Sequence, residues 1–300
     1  MRQAHNLLIL LAFLVAACGH PAAAPPPPPV ATPWIVSPAD ARAALAAGAT
    51  LLDARPAEAY AASHVAGARQ VDWQRFAAEG PQQGALHPDD AHLAAVLAGL
   101  SVRADRPVRV VGDPTHGWGE DGRLVWTLRT LGHPDAALVD GGHPALVAAG
   151  APLATADAGP IPPGSFTIRR DARWSITTPA LQALLAKPGA ATLIDAREPR
   201  EYAGETPYGE ARGGHLPGAK PLHFQALLGP TGLKPRAELL ALLAAQGATP
   251  DRPVVVYCTG GVRSAWLVAV LHDLGFRDAR NYAPSMWAWS QGAPADFPLE

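Results

Sequence analysis

The 300-residue chain has little cysteine, only Cys18 and Cys258, and little charge, 17% of residues with a formal net of -2. Two cysteines so far apart make no Cys-x2-Cys site, and no His, Cys or carboxylate cluster has metal-ligand spacing, so no metal is expected. A net charge this small offers no global field to draw in nucleic acid, which is not an expected partner. No Gly-x-Gly-x-x-Gly follows a strand-like run, so no dinucleotide cofactor is indicated and none of any kind is expected. With six Phe and five Tyr, the 48% of hydrophobic residues predict a globular core of Ala, Leu and Val. The longest apolar run, Leu7 to Ala17 after Met1 and Arg2, is too short to span a bilayer comfortably and suits a signal-peptide core, residues 1–17.

That run ends in Leu14-Val-Ala-Ala-Cys18, which resembles a bacterial lipobox. The resemblance implies a lipid on Cys18 and a protein held on the periplasmic side of the cell envelope, meeting the membrane only through this anchor. The alternative is an ordinary cleavage site with an incidental cysteine. Residues 18–33 are proline-rich and predict an extended tether, since proline donates no backbone hydrogen bond. With Cys18 lipidated, Cys258 is left as an unpaired thiol with no disulfide available.

The remaining chain carries one series of elements twice. A helix capped by Ser37 runs through Ala47, then comes the strand Thr50-Leu-Leu-Asp53, a short helix near Glu58 and a turn at His64-Val-Ala-Gly-Ala68. The series returns as a helix capped by Thr177 or Thr178, the strand Ala191-Thr-Leu-Ile-Asp195, Glu198 to Tyr202 and His215-Leu-Pro-Gly-Ala219. Asp105-Arg-Pro-Val-Arg-Val-Val111 likewise parallels Asp251-Arg-Pro-Val-Val-Val-Tyr257. Strands alternating with helices predict two α/β domains, residues 34–157 and 174–300, each a parallel sheet with helices on both faces, joined by a Pro/Gly-rich linker at 158–173.

Cys258 follows directly on the second of these late strands, at the carboxyl end where reactive groups gather in open parallel sheets. Thr259-Gly-Gly261 lets the backbone curl, and a helix begins near Val262. Backbone N–H groups from Thr259, Gly260, Gly261, Val262 and Arg263 then converge on the sulfur, and the helix end and the Arg263 charge favour thiolate. A buried structural cysteine is the bland alternative, but it has no need of two glycines and an arginine within five residues. Protein-tyrosine phosphatases resemble this loop but carry Cys-x5-Arg around a phosphate; here the spacing is Cys-x4-Arg, a smaller ring suited to one extra sulfur atom.

Taken together, Asp195-Ala-Arg-Glu-Pro-Arg-Glu-Tyr-Ala-Gly204, Gly213-Gly-His-Leu-Pro-Gly-Ala219, Tyr257-Cys-Thr-Gly-Gly-Val-Arg-Ser264 and Asn281-Tyr-Ala-Pro-Ser-Met-Trp-Ala-Trp-Ser290 resemble the tandem-domain rhodanese sulfurtransferases. In the first half, Asp53-Ala-Arg55, His64 to Ala68 and Val139-Asp-Gly-Gly142 look like the matching signatures, and the resemblance covers about residues 34–300. It implies a ping-pong reaction in which Cys258 takes a sulfane sulfur from a donor such as thiosulfate, holds it as a persulfide and yields it to cyanide or a thiol. In the first half Val111-Gly112 stands where Tyr257-Cys258 would, so that copy is expected to be silent and to wall the cleft.

Anionic donors need a cation, and Arg197, Arg200 and Arg212 are the candidates; Arg197 has the alternative of pairing with a neighbouring carboxylate. Asp195, His215, Asp53 and His64 are expected to support the site rather than to move protons. Trp287 and Trp289 either line the cleft or pack in the core. Relatives selective for mercaptopyruvate usually carry arginine where this chain has Glu201, which argues for a thiosulfate-type donor. Tyr282-Ala-Pro-Ser departs from the Tyr-Asp-Gly-Ser common in the family. The rival reading is a carrier that accepts and presents sulfur without turnover.

Overall fold

A computed structural model describes residues 32–156, 159 and 162–300. The expected signal peptide, Cys18 and nearly all of the proline tether lie outside the described residues, and no described helix is long and apolar enough to cross a membrane. The first half runs β1 (Ile35–Val36), α1 (Pro38–Ala46), β2 (Thr50–Asp53), α2 (Ala57–Ala62), β3 (His64–Val65), β4 (Arg69–Gln70), α3 (Asp90–Gly99), β5 (Val108–Val111), α4 (Glu120–Thr130), β6 (Ala136–Val139), α5 (Gly142–Ala148) and β7 (Leu153–Ala154). The second runs α6 (Thr178–Leu185), β8 (Thr192–Asp195), α7 (Pro199–Tyr202), β9 (Lys220–Pro221), α8 (Arg236–Ala245), β10 (Val254–Tyr257), α9 (Val262–Asp273), β11 (Ala279–Asn281) and α10 (Ser285–Trp289).

Each half holds a parallel sheet, ordered β1-β6-β5-β2-β4 in the first and β11-β10-β8-β9 in the second. A separate antiparallel ribbon joins β3 to β7. Every residue of β5 and of β10 is buried, as expected of valine-rich strands covered on both faces. The period-two alternation of side chains sorts the strands between cores. Leu52, Val108 and Val110 face inward with Ile194, Val254 and Val256, all in one core shared by the two halves. Leu51, Val111 and Val139 face outward onto Ala41 of α1, Tyr60 of α2 and Leu146 of α5. Leu193, Val255 and Tyr257 face outward onto Leu181 of α6 and Met286 and Trp289 of α10.

The shared core exists because α4 and α9 pack on each other between the halves. Residues 121–130 of α4 and 262–271 of α9 are buried without interruption, the pattern of helices covered all round. Their seam is set by Gly122, where an added Cβ would stand 2.4 Å from the Cα of Trp266. The connector, described from residue 162 onward, lies bound along the first half: Gly164 N–H donates to Ala98 O, Arg169 N–H to Leu131 O and Asp171 N–H to Thr130 O.

Candidate active site

Cys258 follows the last residue of β10, which stands opposite Asp195 of β8, so it sits at the carboxyl end of the sheet's middle strands. The loop enters α9 through Gly261, whose φ of +78° lies in the left-handed region that favours glycine. A Cβ at Gly261 would meet Ala283 O at 2.4 Å, and one at Gly260 would meet the Trp287 ring at 2.1 Å. The loop carbonyls are engaged on the side away from the sulfur. Met286 N–H donates to Cys258 O at 3.1 Å and Trp287 N–H to Thr259 O at 2.9 Å. Gly261 O accepts from Arg123 Nη1 at 3.1 Å and from Asn281 Nδ2 at 3.2 Å.

With the carbonyls so held, amides turn to the sulfur. Gly261 N–H donates to Cys258 Sγ at 3.1 Å, and the Ser264 hydroxyl lies 3.4 Å from it. The thiol is 1% exposed. Burial pushes its pKa up, but the Arg263 guanidinium, the Ser264 hydroxyl and the amides of Ser264 and Gly260 together outweigh burial and hold it below the ordinary thiol value. Cys258 Sγ is therefore biased toward thiolate at the floor of a cavity of about 170 Å³.

The cavity takes walls from both halves: Trp73, Trp118 and Glu120 from the first, Tyr208, Trp287 and the cysteine loop, with Val262, from the second. Trp118 meets Tyr208 edge-on with centroids 5.3 Å apart, and the Arg263 guanidinium lies over both rings, 5.1 and 5.7 Å from their centroids. Arg263 is itself tied to Glu201, Nη1 to Oε2 at 2.6 Å and Nη2 to Oε1 at 2.8 Å. The Thr259 hydroxyl donates to Glu201 Oε1 at 2.6 Å and lies 3.2 Å from Glu210 Oε1.

None of the three candidate cations lines the cavity, which corrects the expectation for Arg200 and Arg212, while Arg197 takes its alternative of pairing with a neighbouring carboxylate. Arg197 is buried in a two-pronged pair with Asp195, Nη2 to Oδ2 at 2.7 Å, and donates a further bond to Gly214 O. Arg200 is exposed and paired with Glu198 at 2.7 Å. Arg212 binds the carbonyls of Ser290 and Phe297, fastening the C-terminal segment. In each case a local partner holds the guanidinium away from the cavity. The cation that reaches the cavity is Arg263.

Asp53 repeats the role of Asp195, gripping Arg55 at 2.7 Å, while Arg55 reaches Ser63 O. His215 and His64 are equivalent too: each bonds through Nδ1 to a tyrosine carbonyl, Tyr202 at 3.0 Å and Tyr60 at 2.9 Å, and stacks on that tyrosine's ring. These four residues brace turns. Trp287 lines the cavity, whereas Trp289 is fully buried in the outer core. Ser285, at φ +50° in the Tyr282-Ala-Pro-Ser turn, accepts from Cys258 N–H at 3.1 Å. In the first half, the site matching Cys258 is Gly112, where a Cβ would stand 2.8 Å from Asp121 Cγ. A carboxyl fills the space a thiol would need.

Two α/β repeats, a cysteine in an amide cradle at a strand end and a thiol-free twin walling the pocket define a tandem sulfur-handling enzyme. Comparison with known proteins gives the family. The Rhodanese-like domain matches residues 37–149 and 177–292. The chain is 34% identical over 272 residues to the thiosulfate sulfurtransferase of Pseudomonas aeruginosa, covering 89% of this chain and 97% of that one. It is 30% identical over 243 residues to the sulfur carrier protein TtuD of Thermus thermophilus, covering 77% and 83% respectively. Among solved structures, the 3-mercaptopyruvate sulfotransferase SseA of Escherichia coli superposes with a TM-score of 0.74 at 23% identity, over 85% of this chain and 99% of that one, a likeness of fold. The chain belongs to the rhodanese family and is a sulfurtransferase.

Proposed function

We propose that the chain moves sulfane sulfur through a persulfide on Cys258, with thiosulfate as the donor. The Cys258 thiolate attacks the outer sulfur of thiosulfate, the S–S bond breaks, and sulfite leaves with the bonding pair; the persulfide anion stays in the cradle until a thiol or cyanide takes its outer sulfur. The observation that carries this reading is the sulfur's setting: Gly261 N–H at 3.1 Å and Ser264 Oγ at 3.4 Å, at the floor of an open cavity.

One observation favours thiosulfate over mercaptopyruvate. Where mercaptopyruvate-selective members of the family usually carry arginine, this chain has Glu201, which holds Arg263 bidentately. The cellular placement that fits the N-terminal sequence is the periplasmic side of the envelope, anchored by lipid on Cys18.

Mass spectrometry of the wild type and Cys258→Ser after exposure to thiosulfate and to mercaptopyruvate tests the reading. One added sulfur on the wild type with thiosulfate, and none on the variant, is the expected result. A sulfur adduct that survives the substitution removes Cys258 from its role. The likeness to a sulfur carrier protein supports a second reading, presentation of sulfur without turnover; repeated thiocyanate production from thiosulfate and cyanide excludes it.

A further inference from the structure

Glu120 is a charged group of the cavity that the reaction above leaves unused. It is the first residue of α4, in the half without a thiol, and it lines the same cavity as Cys258. Its Oε2 accepts from Trp118 N–H at 2.7 Å, which fixes the side chain, and it makes no ion pair among the described residues. The other charges around the cavity are accounted for: Arg263 is bound to Glu201, and the cradle holds the sulfur. A carboxylate here works against an anionic donor, so attraction of thiosulfate does not explain it.

The second half-reaction supplies a use. At neutral pH an ordinary thiol is a few per cent thiolate and arrives with a proton that must leave before its sulfur attacks. Sulfite is already in good part the unprotonated dianion at neutral pH and needs no such base. A fixed carboxylate in a half-dry cavity beside the persulfide is placed to take that proton. Resting on the persulfide reading, we propose that the acceptor in the transfer step is an uncharged thiol and that Glu120 is its general base.

In balanced form, Glu120 takes the proton from R–SH. The R–S⁻ sulfur bonds to the outer sulfur of the Cys258 persulfide anion, the Cys258 S–S bond breaks, and its electron pair returns to Cys258 Sγ as thiolate. Glu120 then gives the proton to the transferred sulfur, and R–S–SH leaves. The carboxylate is regenerated, one sulfane sulfur has moved, and no outside oxidant or reductant is needed. The aromatic walls suit such an acceptor, because Trp73, Trp118 and Trp287 offer apolar surface to an organic body.

The groups facing Glu120 act on its carboxyl in opposite directions. Burial raises its pKa above the ordinary carboxylate value, the Trp118 amide opposes this, and the Asp113 and Asp72 carboxylates push it higher. Arg263, Tyr208 and Cys258 are the other ionisable groups lining the cavity.

The test uses the full chain, loaded with thiosulfate and freed of excess, then mixed in single turnover with 2-mercaptoethanol or with sulfite. Glu120→Gln keeps an oxygen for the Trp118 N–H and so preserves the local fold, which its melting temperature verifies. Discharge to 2-mercaptoethanol at pH 7 is expected to fall about 100-fold, the low end of what general bases contribute. The deficit should close as pH rises through the acceptor's own thiol pKa, while discharge to sulfite does not fall. Discharge to 2-mercaptoethanol within threefold of wild type, or an equal fall with both acceptors, overturns the proposal. A wild type that takes no sulfur from thiosulfate sinks the persulfide reading and this inference with it, whereas a loaded but base-independent protein sinks this inference alone.

Discussion

Arg123 is the most direct test of whether the first half governs the cysteine loop. It lies on α4, fully buried, donating from Nη1 to Gly261 O at 3.1 Å and from Nη2 to Gly84 O at 2.9 Å, with its guanidinium over the rings of Trp73 and Trp126. Burial lowers its pKa to about 9, against the opposing pull of Cys258. Arg123→Met keeps much of the length and removes both donors. Only Gly84 O is left unpaired, at a cost of about 1–3 kcal/mol, partly offset because a charge is no longer held out of water. For a chain of this size that is a fall in melting temperature of roughly 2–10 °C. Because Gly261 O keeps its bond from Asn281, the loop is loosened rather than freed, and the rate of persulfide loading from thiosulfate should drop about tenfold, a loss of about 1.4 kcal/mol in the transition state. Differential scanning fluorimetry and rapid-quench loading read the two effects. A large thermal loss with unchanged loading would show that Arg123 only fills space; no change in either refutes its role altogether.

Two further outcomes follow from the titrating groups. Iodoacetamide alkylation of Cys258 should reach half its maximal rate at a pH below that of the same thiol in denatured protein, because the folded pKa is lowered; a midpoint at or above the denatured value contradicts the cradle. The Asp121 carboxyl, buried and next in chain to the Glu120 charge, is raised from 3.8 to about 7. Between those values the folded protein holds a proton that the unfolded chain has released, so Asp121 lowers stability as pH rises through that window, by up to about 4 kcal/mol. Asp121→Asn should flatten this part of the stability profile in denaturant melts at pH 4.5 and 7, and an unaltered slope would count against it.

What the sequence made legible were features written in neighbouring residues. The twofold order of elements, the valine strands β5 and β10, the capped helices and the Cys258 loop are local patterns of two and 3.6 residue periods or of turn chemistry. The cavity walls were harder to read, since Trp73, Trp118 and Glu120 lie far from Cys258 in the chain and look like ordinary core and helix-start residues. The arginines misled because proximity to the active strand was taken as access to the cavity. A signal was present: Asp53-Ala-Arg55 repeats Asp195-Ala-Arg197 in a half with no thiol, so that pair had to serve the strand end rather than a donor. Glu201 was seen as a departure from an expected arginine, but its partner, Arg263, is 62 positions away and emerges only when α7 and α9 meet.

The contact of Gly122 with Trp266 ties the fate of the two copies together. A gene trimmed to its reactive repeat would encode a helix whose tryptophan-bearing side lies bare to water, and such a product would cling to its own kind before meeting any sulfur compound. The repeat without a thiol still has employment, because it covers the surface that its partner repeat cannot leave bare.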